Sequence, residues 1–125
     1  HEAAQKFVNV DYRNSMAFVG ILGRNKPGDN EEIIALGELY RDTSTNFSEV
    51  GFTVQSDFQR RGIGSFLLWY MIRYARERGI AGFTAEVLKE NDSMMKLFKG
   101  CGYPVKASFD FSGAYEVEIP FEREE

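Results

Sequence analysis

Residues 49–79 read EVGFTVQSDFQRRGIGSFLLWYMIRYARERG, and the reading of this stretch decides the fold. Glu49–Val54 (EVGFTV) reads as a strand and is followed by polar residues. The period then changes. Over Gly62–Arg78 the residues Ile63, Phe66, Leu67, Tyr70 and Tyr74 recur at helical spacing, and Gly79 follows as a stop. Phe83–Leu88 is strand-like again. A strand, a helix and a second strand form a β-α-β unit, whose strands are predicted to lie parallel through a right-handed crossover.

Upstream of this unit, Met16–Leu22 and Ile33–Tyr40 are apolar runs of strand length. The segment between them, GRNKPGDN, is dense in turn residues, so the pair reads as an antiparallel hairpin. A polar stretch, Arg41–Ser48, leads into the strand at Glu49. Downstream, Asn91 or Asp92 can cap a short helix on which Met94, Leu97, Phe98 and Cys101 share a face. Val105, Ala107 and Phe109 then alternate, as do Tyr115, Val117, Ile119 and Phe121, across a turn at Ser112–Gly113. The order is β-β-β-α-β-α-β-β. The class is α/β (α+β), with a mixed, mostly antiparallel sheet around a central parallel β-α-β unit. The opening residues, HEAAQKFVNVDY, read as the tail of a helix entering the first strand, so the chain is expected to begin in mid-fold.

A length of 125 residues with 43% hydrophobic and 27% charged residues suits one domain, 1–125, with a single core. Phe66–Ile72, the longest apolar run, is far shorter than the roughly 20 residues that span a bilayer, and no secretion leader is visible. One cysteine, Cys101, cannot form an internal disulfide, which favours a reducing cytoplasm. The single histidine, His1, leaves little for a metal site or a histidine-based triad. A net charge of −4 argues against nucleic acid as partner. The charge is uneven, however: between Gln55 and Gly79, Arg60, Arg61, Arg73, Arg76 and Arg78 face only Asp57 and Glu77. A basic segment in an acidic protein suggests a small anionic ligand, although a solvated helix face would look the same.

The chemistry concentrates in Val54–Ser65, where a strand passes into a helix through Gln59-Arg60-Arg61-Gly62-Ile63-Gly64. Gly62 and Gly64 have no Cβ, so a ligand can come close to the backbone. The first-turn amides of a helix lack internal partners and its dipole favours negative charge, which together suit a pyrophosphate. Arg60 and Arg61 can add charge-assisted contacts. Other phosphate loops fit worse: there is no Gly-Lys pair for a P-loop, and Gly62-Ile63-Gly64 is not followed by the third glycine of a dinucleotide fingerprint.

Gln59–Gly64 resembles the [QR]-x-x-G-x-[GA] signature of the GNAT acetyltransferases, in the place where they carry it, between central strand and long helix. Asn91–Leu97, followed by Gly102-Tyr103, is similar to that family's later helix and its closing Gly-aromatic pair. The order of elements matches the family from its second strand to its seventh; its first strand and most of its first two helices are expected to be missing. His1-Glu2, Asp11-Tyr12, Met16–Val19 and Glu49–Gly64 further resemble the GNAT domains of bacterial protein-lysine acetyltransferases, which are fused to an ADP-forming acyl-CoA-synthetase-like region.

The resemblance implies a fold in which the central strand and its parallel neighbour splay apart around acetyl-CoA, with no metal. The pantetheine arm would pair with the backbone around Phe52 and Val54. Gln59, Arg60 and the amides of Arg61, Gly62, Ile63, Gly64 and Ser65 would hold the pyrophosphate, and Asn91 would reach the arm from the other side. Glu49 stands where related lysine acetyltransferases keep a glutamate, and is the candidate general base, with Glu38 and Glu86 as fallbacks. Many members keep a tyrosine proton donor where this chain has Phe98, so thiolate departure would use water or go unassisted. Trp69, Tyr70, Tyr74 and Tyr103 read as packing aromatics, and Cys101, on an apolar face with no histidine nearby, is not read as a nucleophile. The implied reaction is direct transfer of an acetyl group to an amine in a ternary complex, a protein lysine being the leading acceptor. Two other readings stay open: transfer to a small-molecule amine, and a regulatory acyl-CoA-binding module without turnover. A sheet edge left unpaired by a missing first strand keeps a homodimer open.

Overall fold

A computed structural model describes residues 3–12, 14–24, 32–55, 62–110 and 112–121. The chain runs β1 (Ala3–Tyr12), β2 (Ser15–Arg24), β3 (Glu32–Asp42), β4 (Phe47–Val54), α1 (Ile63–Glu77), β5 (Gly82–Leu88), α2 (Asp92–Lys99), β6 (Lys106–Phe109) and β7 (Ala114–Pro120). The strands form one seven-stranded sheet in the order β1-β2-β3-β4-β5-β7-β6. Five of its six pairings are antiparallel and β4–β5 is parallel. The mixed sheet with a central β-α-β unit is therefore present as the sequence predicts.

The opening stretch is a correction. Residues expected to be the tail of a helix form β1, which pairs with β2 from Ala3↔Arg24 to Tyr12↔Ser15. The physical reason is visible in the sequence: Val8–Tyr12 alternates in period two, and Val8 and Val10 are β-branched residues that favour strands. These outweigh the short helix-favouring start, Ala3-Ala4-Gln5-Lys6. As a result β1 covers the edge of β2 that the sequence reading left unpaired. Most of the turn between β2 and β3 lies outside the described residues.

α1 packs on one face of the sheet. Its buried residues are Ile63, Leu67, Leu68, Met71, Ile72 and Ala75, a stripe broad enough to cover several strands. Phe18, Val50, Phe83, Val87, Val117 and Ile119 rise from the sheet to meet it, and Phe18 takes Tyr70 and Tyr74 edge-on. Phe66, assigned to the buried face from its spacing, instead points outward at 45% exposure and lies against Trp69. α2 joins the same core through Phe98, which is buried and meets Phe52 edge-on. Opposite α1 the sheet is open among the described residues: Leu36, Tyr40 and Glu49 are exposed there. No helix among the described residues is long and apolar enough to cross a membrane.

Candidate acyl-donor site

β4 and β5 pair only over Phe47↔Gly82, Ser48↔Phe83 and Glu49↔Thr84. Past that point β4 continues against β3 as far as Val54↔Ala35, while β5 continues against β7 as far as Leu88↔Ala114. Two strands that each keep a partner on the far side, but lose each other, open a wedge in the sheet. Backbone groups facing such a gap need partners, and an extended ligand can supply them.

A cavity of about 490 Å³ lies on the β4 side of the wedge, against the end of β4 that has lost its β5 partner. β4 contributes Phe52, Thr53 and Val54, and the start of α1 contributes Gly62, Gly64 and Ser65. The remaining wall is α2, with Asn91, Ser93, Met94, Lys96 and Leu97. Apolar side chains from β4 and α2 thus face each other, with a helix N-terminus at one end. Gly62 caps that N-terminus at φ 80, a left-handed conformation that glycine adopts without strain, and no side chain caps α1. With no acidic residue in the first turn, the amides of Ile63, Gly64 and Ser65 form an end suited to an anion.

The two glycines serve different ends. A Cβ at Gly62 would meet nothing within 4 Å, whereas one at Gly64 would lie 3.3 Å from Leu97 Cδ2 and 3.8 Å from Val54 Cγ2. Gly64 therefore lets α2 close against the head of α1 and keeps the cavity narrow. Asn91 caps α2: its Oδ1 accepts from the Met94 amide at 3.2 Å, which leaves its NH₂ group for a ligand. Gln59, Arg60 and Arg61 lie outside the described residues.

Glu49 stands at the apex of the wedge, the last β4 residue with a β5 partner. It is exposed on the face opposite α1, while its neighbours Ser48 and Val50 are buried. The Tyr40 hydroxyl donates to the Glu38 carboxylate on the same face, and Tyr40 is the β3 partner of Glu49. That hydrogen bond, the Glu38 charge, burial and the Glu49 charge together raise the Tyr40 phenol above its ordinary value of 10.0. The other fallback, Glu86, lies across the wedge beside Asp110 and Glu116. There the Asp110 carboxylate is taken up by the β6–β7 turn, accepting from the Ser112 amide at 2.8 Å and from its hydroxyl.

Position 98 is occupied by a buried ring that holds Phe52 in place and does not itself line the cavity. Sequence reasoning missed Lys96, which brings a cation to the α2 wall. Spacing on a short helix does not reveal this, because the packing angle of α2 against α1 decides which side turns inward.

Residues 7–103 match the family model described as "Acetyltransferase (GNAT) family", and the chain belongs to that family. These are acetyltransferases that draw on acetyl-CoA. The chain is similar to the acetyltransferase Pat of Mycolicibacterium smegmatis, with 36% identity over 94 residues, 74% of this chain and 27% of Pat. The crystal structure of the GNAT domain of S. lividans PAT matches with a TM-score of 0.71 and 32% identity, covering 90% of this chain and 64% of that one. The [ribosomal protein bS18]-alanine N-acetyltransferase of Salmonella typhimurium is 31% identical over 75 residues, 60% of this chain and 49% of that protein. The chain thus spans half or less of the length of these curated relatives.

Proposed function

We propose that the protein transfers an acetyl group from acetyl-CoA to a protein lysine by direct attack in a ternary complex, with Glu49 as general base. The observation that carries this reading is the wedge between β4 and β5, with an anion-suited helix end at its mouth and a carboxylate at its apex. Acetyl-CoA lies with its pyrophosphate at the amides of Arg61–Ser65, aided by Gln59 and Arg60. Its pantetheine arm runs along Phe52–Val54, within reach of the Asn91 NH₂ group. At about 3.3 Å per residue, Glu49 is roughly 10 Å along β4 from Phe52, which sets the acyl end near the apex.

A lysine amine is mostly protonated at neutral pH, its ordinary pKa being about 10.4. Glu49 takes the proton, directly or through water, and the freed nitrogen lone pair attacks the thioester carbonyl carbon. The C–N bond forms, the C–S bond breaks and CoA leaves as a thiolate. The nitrogen sheds its second proton as the amide forms, and with Phe98 in place of a donor that proton reaches the thiolate through water. The resemblance of Met16–Val19 and Glu49–Gly64 to the GNAT domains of bacterial protein-lysine acetyltransferases supports a lysine acceptor, and the unpaired Cys101 supports a reducing, cytoplasmic setting.

The test separates donor binding from turnover. Calorimetry with acetyl-CoA should give binding by the parent and loss of it in Ser65→Glu. An acid in the first turn favours the helix yet repels a pyrophosphate, so a folded, non-binding variant points to charge alone. Glu49→Gln should still bind acetyl-CoA while acetylation of a lysine peptide falls about 10²–10⁴-fold. Full activity in Glu49→Gln would remove it from the chemistry. Binding without transfer to a lysine peptide, a free α-amine peptide or spermidine would favour a regulatory module.

A further inference from the structure

On the sheet face away from α1, β3 and β4 lie in register with Tyr40 opposite Glu49, Glu38 opposite Gly51 and Leu36 opposite Thr53. Five of these six positions carry side chains. Gly51 does not, and a Cβ built on it meets nothing within 4 Å, so among the described residues the sheet has a bare square there. It is bordered by Glu49 and Thr53 along β4 and by Glu38 across the ladder. Residues two apart on a strand are roughly 6.6 Å from each other, so Glu49 and Thr53 stand roughly 13 Å apart, enough for an alkyl chain between them. The square adjoins the apex of the wedge, since Glu49 is the last residue paired to β5.

Two carboxylates border this square and are held differently. Glu38 is half-buried and accepts the Tyr40 hydroxyl, which fixes one of its oxygens and leaves the other available. Glu49 is exposed, and Gly51 and Tyr40 are its neighbours on this face. The two are diagonal neighbours on adjacent strands, roughly 7–8 Å apart at their backbone positions. An alkylammonium ion lying over Gly51 can touch both.

We propose that this square is the acceptor-amine seat, with Glu38, positioned by Tyr40, receiving the ammonium charge while Glu49 takes the proton. The proposal rests on the reading of Glu49 as general base and adds a division of labour: one carboxylate binds, another reacts. It names the acceptor class as an unhindered primary alkylammonium. A branched or N-substituted amine does not lie flat on the bare backbone between Glu49 and Thr53.

The test uses the purified protein, acetyl-CoA and a lysine peptide with neutral flanks, acetyl-Gly-Lys-Gly-amide. Gly51→Val fills the square with a residue suited to a strand, in open space, so the fold and acetyl-CoA binding should be kept. Its kcat/KM for the peptide should fall by about 100-fold or more. Glu38→Gln and Tyr40→Phe should each raise the peptide KM about tenfold with kcat within about twofold, the signature of lost binding rather than lost chemistry. Because Tyr40 acts through Glu38, the double variant should be no worse than Glu38→Gln alone. Unchanged kinetics in Gly51→Val, a kcat effect without a KM effect, or additive losses in the double variant would each overturn the proposal and leave the lysine-transfer reading standing. Failure of the parent to acetylate the peptide while it binds acetyl-CoA would overturn both.

Discussion

Ser48 is the buried polar side chain among the described residues whose oxygen has no hydrogen-bond partner. It sits one residue before Glu49, on the α1 side of β4, with no solvent exposure. A hydroxyl deprived of water and of a partner costs about 1–3 kcal/mol relative to one that is satisfied. Ser48→Ala removes that penalty and leaves a cavity no larger than the lost oxygen. We expect the variant to be more stable by about 1 kcal/mol, read as a higher urea midpoint with an unchanged slope. A lower midpoint would mean that the hydroxyl has a partner after all. Its neighbour Glu49 illustrates how a residue's role and its position are read from different sources. Its candidacy as a base comes from the family resemblance of the sequence, but its place at the apex, paired with Tyr40 and Thr84, is supplied only by the assembled sheet.

At the scale of elements, α2 depends on its first residue. Eight residues are too few to form a stable helix alone, so the cap and the core contact of Phe98 hold it in place. Asn91→Ala should cost about 0.5–2 kcal/mol by loss of the bond to the Met94 amide, and should weaken acetyl-CoA binding as the α2 wall loosens. Asn91→Asp keeps an acceptor for the cap, so it should retain stability but lose the NH₂ group proposed to meet the ligand. If both variants bind acetyl-CoA equally well, Asn91 is a cap and nothing more. Elements of this kind were legible in the sequence because their signals are local. The cap at Asn91, the period change at Gly62 and the stop at Gly79 all act within a turn or two. β1 was misread because a helix-favouring start precedes its alternating half, and a ten-residue antiparallel ladder with β2 decides between them. Phe66 was misassigned because spacing fixes a helical face but not which part of it meets the sheet. The wedge itself, and Lys96 within it, come from where parallel pairing stops, and no local pattern encodes that point.

The whole molecule is two half-sheets, β1–β4 and β5–β7–β6, joined along three residue pairs of the parallel ladder. At the closed end the joint is braced by loop contacts: the Ala81 amide donates to the Asn46 carbonyl at 2.8 Å, and Asn46 Nδ2 donates to the Gly79 carbonyl at 2.7 Å. At the other end it opens into the cavity. The angle of the wedge is therefore set at the joint, where β4 and β5 come closest. Gly82 lies there, opposite Phe47, and a Cβ on it would fall 2.5 Å from Phe47 Cε2 and 2.6 Å from the Ile119 carbonyl oxygen. The ring can turn, but the carbonyl belongs to the β7 ladder and cannot move without disturbing it. Gly82→Ala should thus force the strands apart and cost about 1–3 kcal/mol, the usual penalty for overpacking. If the joint sets the wedge, acetyl-CoA affinity should also fall, although Gly82 does not line the cavity. Calorimetry under conditions where the variant is still folded separates the two effects. A destabilised variant that binds acetyl-CoA like the parent would show that the cavity is shaped locally by α1 and α2 rather than by the joint between the half-sheets.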